Sequence, residues 1–376
     1  MAFNIQMVDL KTQYQKIKSG IDEAVFSVLE SSSFIKGDEV KVFESRLAEF
    51  LGVKHVITCA NGTDALQIAL MSLDLKPGDE IITTSFTFIA TAEVIALLKL
   101  KPVFVDVHPD NFLIDEEKIE AKITSKTKAM IPVHLFGQCV NIERLVSLAQ
   151  KHNLYIIEDS AQALGADFSF FDSRKSKAGT IGNIGTTSFF PSKNLGCFGD
   201  GGALFTNDDI LAEKIRSISN HGMKIRYYHD MIGINSRLDT LQAAILNVKL
   251  KYLDDYNKER QRAADFYDQR FKECRNLSIP KRNLNSTHIF HQYTLIMDRD
   301  ENEKIVEFLK VKDIPAMIYY PVPIHLQKAY QYLGYKEGDL PITEALCKKV
   351  FSLPMHTELT IEQQNIIIEN VLNYFR

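Results

Sequence analysis

Residues 129–157 read AMIPVHLFGQCVNIERLVSLAQKHNLYII: two short apolar runs, Ala129 to Val133 and Leu154 to Ile157, flank a helix-like segment, Ile142 to Lys151. Strands separated by helices of this length require a crossover connection. They therefore run parallel and are buried on both faces of a sheet. The alternation continues toward the N-terminus, with strands expected at His55 to Thr58, Glu80 to Thr83 and Pro102 to Val107. Helices are expected between and after them at Asp64 to Leu73, Thr87 to Leu98 and Asp115 to Ile123. The pattern predicts an α/β domain built on a mostly parallel central sheet.

Outside this block, Val8 to Leu29 spaces Leu10, Tyr14, Ile17, Ile21, Val25 and Leu29 as one helical face, an amphipathic arm for the body. Beyond residue 240 a long helical stretch, Leu241 to Cys274, leads to a strand at Gln292 to Met297. Helices are expected at Glu301 to Lys312, Ile342 to Val350 and Ile361 to Leu372. This organisation predicts a large domain over 1–250 and a smaller one over 251–376, with no repeat or Gly/Ser linker between them.

The chain has 376 residues, 45% hydrophobic and 24% charged, which is globular composition and excludes extensive disorder. Its 44 Lys plus Arg nearly balance 48 Asp plus Glu, and no block of five like charges occurs. Nucleic acid and anionic membrane are therefore not expected partners. Cys59, Cys139, Cys197, Cys274 and Cys347 are odd in number and scattered, which fits a reducing compartment better than a disulfide framework or zinc site. Asn4, Gln6 and Asp9 interrupt any signal-peptide pattern at the N-terminus, and no apolar run is long enough to span a bilayer. A soluble cytoplasmic protein is the expectation.

Ligands of such sheets bind beyond the carboxyl ends of the strands. Three constellations fall there. After Leu154 to Ile157 come Glu158-Asp159-Ser160-Ala161-Gln162, in which Asp159 and Gln162 would share a helical face and point at one flat ligand. The two acids would equally serve as a helix cap. Second, Lys193 lies in Ser188-Phe-Phe-Pro-Ser-Lys-Asn-Leu-Gly196, which runs into Gly199-Asp200-Gly201-Gly202, an irregular segment unlike the exposed helix face where lysine usually solvates. The glycine spacing matches neither a dinucleotide fingerprint nor a P-loop. Third, Asn61-Gly62-Thr63-Asp64 opens a helix and offers free N–H groups to an anion. Together an anion cradle, an acid suited to a ring nitrogen and a loop lysine are what pyridoxal 5'-phosphate requires.

These stretches, with Asn235-Ser-Arg-Leu-Asp239, resemble the DegT/DnrJ/EryC1/StrS family of nucleotide-sugar aminotransferases, in order and over nearly the whole chain. The resemblance implies a fold type I pyridoxal-phosphate enzyme with a smaller C-terminal α+β domain. It implies that Lys193 bonds the cofactor and moves the substrate proton, that Asp159 pairs with the ring nitrogen, and that Gln162 binds the ring oxygen. Phe88 corresponds to an aromatic that stacks on the ring; from the sequence alone it would be a core phenylalanine. The phosphate would be held by Gly62, Thr63 and Ser188, and by Asn235 from the second subunit of a homodimer. Arg237 is implied as a contact to substrate anions, with an ion pair to Asp239 as the structural alternative.

Within the family the chain most resembles enzymes that aminate UDP-2-acetamido-2-deoxy-3-oxo-D-glucuronate with L-glutamate as donor. One departure is Tyr319-Tyr320 before the proline, where that subgroup has His-Tyr; tyrosine binds a hydroxyl but supplies no cation to a carboxylate. A UDP- or dTDP-linked 3-keto hexose lacking the C6 carboxylate is thus the alternative substrate, and a regulatory pyridoxal-phosphate-binding protein the alternative from another class. The Phe168 to Gly179 loop carries Arg174, Lys175 and Lys177, a solvated loop or an approach to a diphosphate. His134, His221 and His325 are read as structural or substrate-contact residues, His325 being placed against the sugar. No metal-ligand spacing occurs among the ten histidines.

Overall fold

A computed structural model describes residues 5–376; the first four residues of the 1–250 range, Asn4 among them, lie outside the described residues. Seven strands form the central sheet, in the spatial order His55–Cys59, Gly202–Thr206, Ile184–Ser188, Tyr155–Asp159, Thr127–Ile131, Glu80–Thr84, Lys101–Val105. Only Gly202–Thr206 runs antiparallel to its neighbours. The sheet is buried on both faces, one against the helix Ile142–His152 and the other against the helices Gly62–Met71, Ala90–Leu97 and Asp209–Ile218. This is the fold type I α/β architecture.

All five strands expected from the apolar runs form, within two residues of the expected ends. Two further strands, Ile184–Ser188 and Gly202–Thr206, were not anticipated. The first reads Ile-Gly-Thr-Thr-Ser and carries a single large apolar side chain, so it gives no hydropathy signal. Its Gly185 is obligatory, because a Cβ there would stand 1.8 Å from the Gly179 carbonyl oxygen.

Several expected helices are corrected. Asp115 to Ile123 is two short 3-10 turns, Glu116–Lys118 and Glu120–Lys122. The arm is two helices, Leu10–Lys16 and Lys18–Ser31, broken at Ile17. The Leu241 to Cys274 stretch is interrupted by a 3-10 turn at Leu250–Tyr252, separating the helices Thr240–Lys249 and Leu253–Phe271. The Phe168 to Gly179 loop contains a small hairpin, Asp167–Ser169 with Lys175–Lys177.

Beyond residue 271 a three-stranded antiparallel sheet, Leu277–Ser278, Tyr293–Met297 and Val350–Leu353, shares a separate apolar cluster with the helices Leu253–Phe271, Asn302–Lys310 and Ile361–Tyr374. No helix among the described residues is long and apolar enough to cross a membrane.

Candidate active site

The carboxyl ends of Glu80–Thr84, Thr127–Ile131, Tyr155–Asp159 and Ile184–Ser188 face one cavity of about 470 Å³. Its walls carry Asp159, Gln162, Gly62, Thr63, Ser188, Lys193, Phe88, Tyr319 and Tyr320. Nine of the twelve site residues named from sequence therefore meet in one place.

Asp159 is the last residue of its strand. Its N–H donates to the Pro132 carbonyl and its own carbonyl accepts from His134 N–H, both at 3.0 Å, so the backbone fixes the side chain. The carboxylate accepts from Thr91 Oγ1 at 2.8 Å and from the Ala161 N–H at 3.2 Å. Burial raises its pKa above the usual carboxylate range, opposed by those bonds and by the Lys193 charge. Across the cavity burial pushes the Lys193 ammonium down to about 8, opposed by Asp159. Burial thus works against the charge on both groups, and their mutual attraction favours it.

Glu158 behaves in the opposite sense and has no access to the cavity. Although burial works against its charge, His134 at 2.8 Å and the N–H groups of Gly179, Ile181 and Gly182 hold it below the usual range. His134 accepts from the Val140 N–H through Nδ1, so Nε2 carries the proton that meets Glu158. His134 is structural, and the cap alternative for the acid pair does not apply because a turn, not a helix, follows Asp159.

That turn also removes the shared helical face expected for Asp159 and Gln162, although both reach the cavity. Gln162 Oε1 accepts from the Phe136 N–H at 2.9 Å, and Nε2 donates to the Tyr320 hydroxyl at 3.1 Å. A backbone N–H can only donate, so the amide orientation is fixed and one Nε2 hydrogen stays available to a ligand. Phe88 is 56% exposed and stands on the rim rather than in the core.

Asn61 caps the helix Gly62–Met71 by accepting from the Asp64 N–H at 2.8 Å. The cap occupies the third N–H of the first turn and leaves those of Gly62 and Thr63 for a ligand, at the positive end of the helix. Gly62 packs so closely on Ser188 that a Cβ would lie 2.6 Å from the serine Cβ. Only glycine brings the helix end and the Ser188 hydroxyl to one anion.

Three site residues lie elsewhere. Asn235 is outside the cavity. Arg237 lines a separate pocket with Lys36, Lys41, Glu44 and Arg216, and no ion pair joins it to Asp239 among the described residues. His325 is corrected: its side chain is buried, with Nδ1 on Ser85 Oγ at 2.8 Å and Nε2 on Glu344 at 3.1 Å, so neither nitrogen is free for a sugar. His221 also lies off the cavity, its carbonyl bonded to His229. Arg174 pairs with Asp172 and Lys177 with Asp167, while Lys175 is exposed, and none of the three lines the cavity.

The sequence did not single out Thr91, His291, Gln292 or Asp200, all of which line the cavity. Thr91 falls within an apolar helical pattern, and His291 precedes a core strand. Neither position carries a local signal.

The residues fit pyridoxal phosphate. A buried carboxylate, a desolvated lysine, an amide with a free donor and an anion-binding helix end surround a cavity of suitable volume for a small aromatic phosphate.

A family model described as the DegT/DnrJ/EryC1/StrS aminotransferase family matches residues 15–372. The chain is 46% identical over 375 residues to the pleiotropic regulatory protein of Geobacillus stearothermophilus, covering 99% of each. It is 43% identical over 369 residues to the UDP-2-acetamido-2-deoxy-3-oxo-D-glucuronate aminotransferase of Pseudomonas aeruginosa, covering 98% of this chain and 100% of that one. Among solved structures, a DegT DnrJ EryC1 StrS aminotransferase from Brucella abortus superposes with a TM-score of 0.93 at 40% identity, over 98% and 99% of the two chains.

Proposed function

Because the chain belongs to the DegT/DnrJ/EryC1/StrS aminotransferase family, nucleotide-sugar transaminases that use pyridoxal phosphate, we propose that it aminates UDP-2-acetamido-2-deoxy-3-oxo-D-glucuronate with L-glutamate as donor. The observation that carries this is the Lys193 amine and the buried Asp159 carboxylate facing one cavity. The 43% identity to an aminotransferase of that name supports the substrate.

When bound, pyridoxal phosphate supplies an aldehyde carbon for covalent attachment and a cationic ring that draws off electron density. Lys193 would bond it and, once free, move a proton at the substrate carbon; an amine near pKa 8 both takes and gives up that proton at neutral pH. Asp159, aimed by Thr91, would hold the ring nitrogen's proton. Gln162 would donate to the ring oxygen, Phe88 would cover the ring, and Gly62, Thr63 and Ser188 would hold the phosphate.

The second reading is a UDP- or dTDP-linked 3-keto hexose without the carboxylate. It is favoured by Tyr319 and Tyr320, which line the cavity, and by Lys193 being the only lysine or arginine on that wall among the described residues. In the uronate reading Arg237 supplies the missing cation from the second subunit of a homodimer, with Asn235 reaching the phosphate. That both lie off their own protomer's cavity supports this arrangement. The test is to supply UDP-linked 3-keto sugars bearing carboxylate, hydroxymethyl or methyl at C6 and compare turnover with glutamate. Preference for the carboxylate supports the uronate, and preference for methyl or hydroxymethyl replaces it.

A further inference from the structure

The Gln162 amide is held at both ends by residues packed on one side chain. The Phe136 N–H donates to its Oε1 at 2.9 Å, and the Tyr320 hydroxyl, 158 positions away in the chain, accepts from its Nε2 at 3.1 Å. The rings of both partners stand edge-on to the buried Phe86, with centroids 6.3 and 6.1 Å from it. Phe136 keeps a left-handed backbone, φ 57°, which is uncommon for a bulky residue. The Tyr320 hydroxyl makes no other hydrogen bond among the described residues. Burial pushes its pKa upward, so it stays protonated at neutral pH. The terminal torsion of a glutamine is broad, and the Phe136 bond alone would leave the amide free to turn. Two opposed contacts leave it one orientation.

We propose that Tyr320 is a positioning residue for Gln162: by accepting one Nε2 hydrogen, its hydroxyl directs the other into the cavity. Without that hydroxyl the amide keeps its Phe136 bond but swings about its terminal torsion, and its donor is no longer aimed. The role differs from a contact between Tyr320 and a sugar, because the effect of the hydroxyl passes through Gln162. The inference rests on the reading of Gln162 as donor to the ring oxygen of pyridoxal phosphate. The other titratable groups on this cavity are Asp159, Lys193, Asp200, Tyr319 and His291.

The test is the absorbance of the full-length protein loaded with pyridoxal phosphate, titrated with pH to find where the lysine-bound cofactor loses its proton. A donor on the ring oxygen favours that loss, so removing the donor raises the midpoint. Q162L should raise it by about one unit, the worth of one hydrogen bond to charge. Y320F, which deletes only the hydroxyl and keeps the ring on Phe86, should raise it by about half a unit. The double variant Q162L/Y320F should match Q162L, because Tyr320 acts only through the amide. In apo-protein, side-chain amide NMR of 15N-glutamine should show the Gln162 resonances, identified by their absence in Q162L, moving in Y320F. An unshifted midpoint in Y320F beside a shifted one in Q162L overturns the proposal alone. So do additive shifts in the double variant, which would place Tyr320 on the ligand directly, and unmoved Gln162 resonances in Y320F. An unshifted midpoint in Q162L overturns the reading of Gln162 and the proposal with it.

Discussion

Replacing Gly62 with alanine tests the anion cradle at its tightest point. The new Cβ would meet Ser188 at 2.6 Å from Cβ, 3.1 Å from Oγ and 3.2 Å from Cα. These are strand and helix-end atoms, so relief requires the helix Gly62–Met71 to move from the end of Ile184–Ser188. Overpacking of this kind costs about 1–3 kcal/mol, roughly 1–4 °C in Tm for a chain of this length. The larger effect falls on the cofactor. Separating the Gly62 and Thr63 N–H groups from the Ser188 hydroxyl removes the equivalent of one hydrogen bond to charge, and weakens pyridoxal phosphate binding by about 10- to 100-fold. Absorbance titration of apo-protein measures the affinity, and thermal melting without cofactor measures the packing term. The double variant G62A/S188G, which deletes the serine Cβ and Oγ, should recover most of the Tm but not the affinity, because the hydroxyl is gone. Wild-type affinity in G62A would refute the cradle.

Asp159→Asn keeps the Thr91 contact but removes the charge, and losing one preorganised electrostatic contact to the reacting system costs about 100- to 1000-fold in turnover; turnover should fall at least about 100-fold, and retention of turnover contradicts the role of the acid. Mixing K193A with R237A protein should restore about a quarter of wild-type activity, through heterodimers with one intact site, if Arg237 acts across subunits; mixtures as inactive as K193A alone count against the shared site. Buried His288 and His356 are pushed down to about 3 and about 4. Their folded pKa values lie below the unfolded one, so they favour the native state above about pH 6.5, and that contribution is lost as pH falls toward the folded values. Urea unfolding should show about 2 kcal/mol lost per histidine between pH 6.5 and 5, and a flat profile would be inconsistent with uncharged burial. His325→Ala should lower stability through loss of the Ser85 and Glu344 bonds yet leave KM for the sugar nearly unchanged; a large KM rise would reinstate it as a substrate contact.

How much of this was legible from the sequence depended on whether a residue's surroundings were local. The five apolar runs declared their strands because a strand buried on both faces has nothing but its own side chains to bury. Ile184–Ser188 was silent because its neighbours supply the apolar contacts and its glycine answers a distant carbonyl. Lys193, Asp159 and the Asn61 to Thr63 turn stood out because unusual local sequence accompanies unusual backbone. Thr91 and His291 did not, since each reaches the cavity only through pairings with residues 68 and 155 positions away, Asp159 and Phe136. His325 misled for the converse reason: a histidine beside prolines looked available, while its partner Glu344 lay in a helix not connected to it by any pattern.

Two lysines have amines pushed down to about 8 by desolvation, Lys193 and Lys249. Only the first lines the cavity; Lys249 Nζ donates to the Gly196 carbonyl at 2.5 Å. Borohydride reduction of the cofactor-loaded protein, followed by peptide mass analysis, decides between them. The account predicts the reduced cofactor on the peptide containing Lys193, and recovery of the label on Lys249 or any other lysine would contradict it.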